Sequence, residues 1–166
     1  MFRSIEDFLT GWEYESGATL RVFRALGDAS LQRQFHPDLR TLGRLAWHIT
    51  QSIPEMAGRT GLKLEGPGAA EPIPGSAAEI ADRYRAAAES LAREVRATWT
   101  EKDLEVEDDM YGEVWPRGKT LASLVGHQAH HRGQMTALMR LADLRVPGVY
   151  GPSKEEWGAF GMEPQE

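Results

Sequence analysis

Residues 120–144, TLASLVGHQAHHRGQMTALMRLADL, decide the fold, because they predict one long helix. Apolar residues recur along this stretch at the spacing of a buried helix face: Leu121, Leu124, Met135, Leu138 and Leu141. Pro147 and Gly148 follow and are expected to prevent the helix from continuing. Three of the five histidines of the chain lie within this helix, so its fold and its chemistry have to be considered together.

The same periodicity predicts three more helices upstream. We expect them at about residues 3–26, 40–58 and 76–100. Ser76 and Glu79 match a capping box that opens the third of these helices. Pro54 is expected to end or kink the second, because proline lacks the N–H group that a helix interior needs.

The segment before the last helix has no helical period. Residues 102–119 predict either a short hairpin around Tyr111-Gly112 or an extended crossover. Near residues 153–158 we expect one more helical turn. The sequence therefore predicts an all-α four-helix bundle formed by a single domain, residues 1–166. A homodimer through an apolar helix face is a further expectation, with candidate residues Phe2, Trp99 and Trp157.

Composition narrows the classes of function. The chain has 166 residues, a formal net charge of −6 and no cysteine, which leaves no disulfide, thiolate ligand or cysteine nucleophile. We expect no nucleic-acid partner, because the basic residues form no stripe that could neutralise phosphates. No stretch approaches the ~20 apolar residues of a membrane-spanning helix. We therefore expect a soluble, cytoplasmic protein with no membrane partner.

The histidines are spaced as metal ligands on a helix are. His127 and His131 are four residues apart, so they project from one side of the helix about 40° apart around its axis. His130 points away from His127 in the other direction and is the weaker candidate. On the second helix, His48 lies beside Leu45 and Ile49 in the apolar stripe.

Three inward-facing imidazoles need hydrogen-bond partners or a shared ligand, because a buried polar group without a partner destabilises the fold by about 1–3 kcal/mol. One divalent metal ion bound by His48, His127 and His131 meets that need. The alternative is that each is an isolated core or surface histidine. Spacing alone supports the pair on the last helix but does not fix the distance from His48 to that pair.

Two segments and the tail resemble the DinB family. They are TLGRLAWHI at residues 41–49, LVGHQAHHRGQ at residues 124–134, and VPGVYGPS at residues 146–153. The resemblance implies an up-up-down-down-like four-helix bundle with a histidine triad that binds Zn²⁺ or a similar divalent ion such as Ni²⁺. It also implies that His48, His127 and His131 are the ligands and that His130 is not. Some members of the wider superfamily are transferases that use bacillithiol or mycothiol.

These observations leave three functions open. The first is a metal-dependent transferase that joins a low-molecular-weight thiol to an electrophile, in detoxification or stress response. The second is a hydrolase or isomerase that uses metal-bound water. Gln128 follows His127 where the metalloprotease motif HExxH has its glutamate base, so peptide hydrolysis by that route is disfavoured. The third is a metal-stabilised binding protein without turnover.

Residues around the triad are candidates for supporting roles. Gln134, one turn beyond His131, could hydrogen-bond a ligand or substrate. Trp47 and Trp115 are candidates to line a pocket. The crossover residues Tyr111 and Arg117, together with Trp115, are candidates to lie over the site. Arg132 is expected to make a surface salt bridge.

Overall fold

Four α-helices form the body of the molecule in the computed structural model, which describes residue 2 and residues 4–164. In chain order they are α1 (Ile5–Arg24), α2 (Leu42–Ser52), α3 (Ala77–Thr98) and α4 (Arg117–Leu141). Helices α1 and α2 each pack mainly against α3 and α4, so the apolar faces of all four helices meet in one core. The predicted all-α four-helix bundle is confirmed.

Side-chain caps determine where the helices begin. The Ser76 hydroxyl accepts a hydrogen bond from the Glu79 backbone N–H at 3.4 Å, which confirms the predicted start of α3. The Thr41 hydroxyl accepts one from the Arg44 N–H at 3.1 Å and starts α2 in the same way. Helix α4 begins at Arg117, three residues before the predicted position. None of the described helices is both long and apolar enough to span a bilayer.

One prediction about an apolar residue is wrong, and one candidate for the dimer face lies in the core. Leu141 is 57% exposed and does not belong to the core. Trp99, a candidate for a dimer face, is only 8% exposed and is covered by the Arg117 guanidinium, which lies 5.1 Å from the centre of its ring. Trp99 therefore packs within the chain, and a homodimer stays a prediction without it.

A turn of π-helix extends α2. It spans Ile53–Ala57 and includes Pro54. Because Pro54 has no N–H to donate to the carbonyl four residues earlier, the regular α-helical pattern cannot continue through it. The predicted effect of Pro54 is confirmed, and the wider turn determines where the following residue, Glu55, is placed.

The hairpin, one of the two structures predicted for the segment before α4, is present. Strands β1 (Glu107–Met110) and β2 (Glu113–Pro116) pair antiparallel. The two residues of the turn, Tyr111 and Gly112, have φ of 62° and 85°. Positive φ at both positions is the requirement of a type I′ turn, which is favoured between twisted strands. The last helical turn is a 3₁₀ turn at Trp157–Phe160, slightly later than predicted.

A close backbone contact positions the start of α2. The Gly43 N–H donates to the Leu31 carbonyl at 2.9 Å, and a Cβ at residue 43 would lie 2.9 Å from that oxygen. Only glycine therefore fits without a shift of the chain. This contact holds the first turn of α2 against the preceding loop and fixes the height at which His48 faces α4.

Candidate metal centre

The bundle brings three predicted histidines together. His48 projects from α2, and His127 and His131 project from α4. The Nε2 atom of His127 lies 3.1 Å from Nε2 of His48 and 3.2 Å from Nε2 of His131. We call these three residues the histidine cluster. The distance from His48 on α2 to the histidine pair on α4, which the sequence alone does not fix, is therefore short enough for a shared ligand.

The donor set fits one metal ion. Two imidazole nitrogens that bind one tetrahedral zinc ion, each at about 2.05 Å, are about 3.3 Å apart. The two Nε2 separations of 3.1 and 3.2 Å are close to that value. The potential ligand atoms of all three residues lie within 4.8 Å of one another. The three histidines could therefore form a metal site.

The surroundings keep the cluster neutral. Burial, reinforced by the charges of the other two histidines and of Arg40 and Arg44, lowers the pKa of His48 to about 4. Burial and the neighbouring His131 are the main causes that lower the pKa of His127 to about 4. The pKa of His131 is lowered as well, chiefly by burial. Imidazoles that are neutral at pH 7 can bind a metal without first losing a proton.

A hydrogen bond orients one of the rings. The Nδ1–H of His131 donates to Oε1 of Gln134 at 2.7 Å, which leaves the Nε2 lone pair facing His127. Gln134 therefore lies where a residue that supports a metal ligand is expected. The buried Nδ1 of His127 has no hydrogen-bond partner among the described residues, so its ring is positioned by packing.

The other predicted site residues lie outside the cluster. His130 is exposed, with its ring centre 4.8 Å from that of His131. Trp47 is fully buried and donates its indole N–H to the Glu71 carbonyl. Trp115 packs on the hairpin, where its indole N–H donates to Glu113. The structure does not bring Trp47 or Trp115 to the histidines.

The cleft on one side of the cluster is partly formed by the hairpin. This hairpin cleft, of about 450 Å³, is lined by His48 and His127 together with Arg44, Glu55 and Tyr111. Tyr111 therefore reaches the site, as considered from the sequence. Arg117 does not line the cleft: it binds Asp108 through its Nε at 2.9 Å at the base of the hairpin.

The cleft on the other side is more aliphatic. This leucine cleft, of about 580 Å³, is lined by His131 and Gln134 and by Arg40, Leu138 and Leu141. Leu141, predicted from its spacing to lie in the core, is exposed and forms part of the wall of this cleft. The histidine cluster thus has a separate approach from each side.

Sequence reasoning missed an acidic residue at the site. Glu55 accepts a hydrogen bond from the Tyr111 hydroxyl at 2.7 Å and one from the Arg59 Nε at 3.3 Å. Burial and Glu55 raise the pKa of Tyr111 to about 12, so its hydroxyl stays a donor at neutral pH. The signal available in the sequence was the position of Glu55, seven residues after His48 on the same helix face, but the π turn that carries Glu55 has no sequence signature.

Arg132 was expected at the surface, and this expectation is wrong. It is 1% exposed and forms what we call the arginine network with Glu15, Thr19 and Tyr150. Its Nη2 lies 2.5 Å from a Glu15 carboxylate oxygen and 2.6 Å from the Tyr150 hydroxyl. The network ties α4 to α1 and to the C-terminal segment, so Arg132 holds the bundle together and takes no part in the cleft.

Gln128 lies on the arginine side of α4 as well. It is fully buried and its Oε1 accepts a hydrogen bond from the Tyr84 hydroxyl at 2.8 Å. Gln128 is therefore part of the core. The residue that replaces the metalloprotease glutamate is thus unsuited to act on a substrate.

Comparisons with known proteins agree with this architecture. The model of the DinB family matches residues 1–166. The protein YrdA of Bacillus subtilis, described as uncharacterized, is 42% identical over 163 residues that cover 98% of each chain. The crystal structure of a DinB-like protein from Bacillus cereus superposes with a TM-score of 0.87 at 45% identity, over 90% of this chain and 100% of that one.

Proposed function

Because the chain belongs to the DinB family and its fold brings three imidazoles together, we propose that it is a metal-dependent transferase. It joins a low-molecular-weight thiol to an electrophilic compound, in detoxification or stress response. The observation that carries the proposal is the convergence of the three Nε2 atoms between two clefts. A chain without cysteine that acts on a small thiol suits the reducing cytoplasm.

The cofactor in this proposal is one divalent ion held by His48, His127 and His131. Three imidazoles suit Zn²⁺, with Ni²⁺ as the alternative. A Zn²⁺ ion with three neutral ligands lowers the pKa of a thiol or water that it binds, toward neutrality. In this proposal, the residues of the two clefts bind and orient the substrates.

The chain's own residues would position two substrates. The hairpin cleft offers Arg44, Glu55 and the Tyr111 hydroxyl to a polar molecule. The leucine cleft offers aliphatic walls, including Leu138 and Leu141, to an apolar molecule. A transferase needs both partners next to the same centre, since effective concentration supplies much of its rate. Two clefts that both reach the histidine cluster fit that need.

One observation supports the second alternative, a hydrolase or isomerase that uses metal-bound water. Glu55 lines the same cleft as His48 and His127, so a carboxylate is available as the proton acceptor that the sequence did not reveal. Glu55 already accepts hydrogen bonds from Tyr111 and Arg59, which hold it in place. We keep this function second, because an ionised thiol is itself the nucleophile and needs no strong protein base.

A metal-stabilised protein without turnover is the third alternative. Two arguments count against it. A structural zinc site usually has four protein ligands, whereas three potential ligands come together here among the described residues. The bundle also has a large apolar core and the arginine network, which stabilise it without a metal.

Cobalt substitution tests the proposal without knowledge of the natural substrate. We expect wild-type protein loaded with Co²⁺ to show a sulfur-to-cobalt charge-transfer band when 2-mercaptoethanol is added, and then to conjugate the thiol to 1-chloro-2,4-dinitrobenzene faster than metal-free protein does. His48→Ala should lose the band, and His130→Ala should keep it. Bound cobalt whose spectrum does not respond to thiol would contradict the transferase and favour the metal-stabilised protein.

A further inference from the structure

Two arginines beside the histidine cluster have no carboxylate partner among residue 2 and residues 4–164. Arg44 precedes His48 by one turn on α2 and lines the hairpin cleft, and Arg40 lines the leucine cleft. Arg44 shares its cleft with His48 and His127, and Arg40 shares its cleft with His131. Both guanidiniums therefore lie in the clefts that reach the proposed metal centre.

Neither guanidinium is neutralised within the described part of the chain. Arg44 contacts the Gln51 amide oxygen at 3.4 Å, and Arg40 has no hydrogen-bond or ion-pair partner there. Many other arginines do have carboxylate partners: Arg59, Arg83, Arg85, Arg93, Arg117, Arg132 and Arg140. In a chain of net charge −6 with 25 acidic residues, carboxylates are plentiful, yet none of the described ones forms an ion pair with Arg40 or Arg44.

The acidic residues that line the two clefts are not paired with either arginine. Glu55 in the hairpin cleft binds Tyr111 and Arg59. Asp38 in the leucine cleft is strongly exposed and lies 3.8 Å from Nδ1 of His36, so water screens its charge. The carboxylates of these clefts therefore leave both guanidiniums without an ion pair. Unpaired guanidiniums would also repel a divalent cation, so a bound anionic group would favour metal and substrate together.

We propose that the thiol substrate carries a carboxylate, which Arg44 binds in the hairpin cleft while its sulfur lies at the histidine cluster. This inference rests on the proposed function and names the charge class of its substrate. A guanidinium recognises a carboxylate with two parallel N–H···O bonds, which an ammonium cannot copy. Arg40 strengthens the same preference from the leucine cleft through its field.

Three thiols of similar size and different charge test the inference. They are 3-mercaptopropionate, 2-mercaptoethanol and cysteamine, and each is titrated into Co²⁺-loaded protein while the sulfur-to-cobalt band is recorded. The measured quantity is the Kd of the neutral thiol divided by the Kd of the anionic thiol. Comparison of this ratio between variants cancels the different acidities of the thiols themselves. Cobalt content is measured for every variant.

Arg44→Gln should lower this ratio about tenfold, the size of one lost charge-assisted hydrogen bond. Arg40→Gln should lower it by less, about threefold, because its effect acts through the field alone. Affinity for cysteamine should rise in both variants. Arg44→Lys, which keeps the charge without the fork, should fall between wild type and Arg44→Gln. Arg93→Gln removes an exposed arginine that is paired with Glu65, and should leave the ratio unchanged.

The results separate this inference from the proposed function. An unchanged ratio in Arg44→Gln, with cobalt and thiol still bound, would overturn the carboxylate preference and leave the transferase standing. If wild-type protein binds no cobalt, or binds cobalt without a response to any of the thiols, the proposed function fails and the inference fails with it.

Discussion

Helix α4 carries two polar groups side by side, and they differ in how their hydrogen-bonding capacity is used. In the arginine network, the Arg132 guanidinium contacts a carboxylate, a carbonyl and two hydroxyls. In the histidine cluster, three neutral imidazoles turn their Nε2 atoms toward one another. Three such nitrogens cannot all be satisfied by hydrogen bonds among themselves, since a neutral imidazole has only one N–H.

The arginine network stabilises the fold, whereas the histidine cluster has the features of a ligand-binding site. A buried charge with all its partners within the chain needs nothing from outside. Converging acceptors that lack donors need a cation. His131 and Arg132 are adjacent in sequence, but a helix turns about 100° per residue, so the two side chains leave α4 on different sides and have different roles.

The largest expected effect concerns the arginine network. Arg132→Met should lower the free energy of unfolding by about 3 kcal/mol, because Glu15 is then left with a poorly compensated charge. Urea denaturation measures the loss. The double variant with Glu15→Gln should recover part of it. Arg85→Met, which removes an exposed pair with Asp82, should change stability by less than about 0.5 kcal/mol. Equal losses in both single variants would mean that the network is not a stabilising unit.

The second effect concerns metal-dependent stability. Zn²⁺ at about a hundred times its Kd should stabilise wild-type protein by about 2.7 kcal/mol, because only the folded state presents the complete site. Thermal denaturation with and without Zn²⁺ measures the shift. The shift should vanish in His48→Ala and persist in Arg132→Met. A variant of the arginine network that loses the zinc response while still folded would show that the two groups are not independent.

A smaller effect is expected from the residue that supports His131. Gln134→Ala should weaken Zn²⁺ affinity about tenfold, because the His131 ring loses the acceptor that orients it. Competition with a chromophoric chelator measures the affinity. Thr136→Ala, which removes an exposed hydroxyl two residues away, serves as the control. Equal affinity in Gln134→Ala and wild type would contradict an orienting role.

The smallest effect is a pH dependence of the metal-free protein. The pKa of His48 and of His127 is about 4 in the folded chain and 6.5 for an unperturbed histidine. The unfolded chain therefore binds more protons between these values, so stability is complete above pH 6.5 and falls as the pH is lowered toward 4. Urea midpoints across this window should fall less steeply in His127→Gln. An identical slope in both proteins would contradict the lowered pKa values.

Much of the fold and part of the candidate site could be predicted from the sequence, because these features depend on local periodicity. The four helices, the Ser76 cap and the effect of Pro54 follow from residue spacing and backbone chemistry. The i, i+4 spacing of His127 and His131 likewise determines that both rings share one side of α4. The hairpin was one of two alternatives, and the residues Tyr111-Gly112 suit the turn that forms.

The rest depends on contacts between distant residues, which the sequence does not display. Arg132 is buried because Glu15, more than a hundred positions earlier, lies opposite it on α1. Glu55 reaches the hairpin cleft because Tyr111 holds it from another element. Leu141 was assigned to the core from its spacing, but helix packing ends before it and leaves a cleft wall. In each case the tertiary partner decides.

Metal content per chain is the decisive measurement of whether the histidine cluster binds a divalent ion. Protein purified without a nickel affinity step is measured by elemental analysis for wild type, His127→Ala and His130→Ala, with circular dichroism of each. We expect about one divalent ion per chain in wild type and in His130→Ala, and none in His127→Ala, with the helical signal retained in all three. A wild-type protein that binds no metal under conditions that do not strip it, or a His127→Ala variant that keeps its ion, would contradict the account.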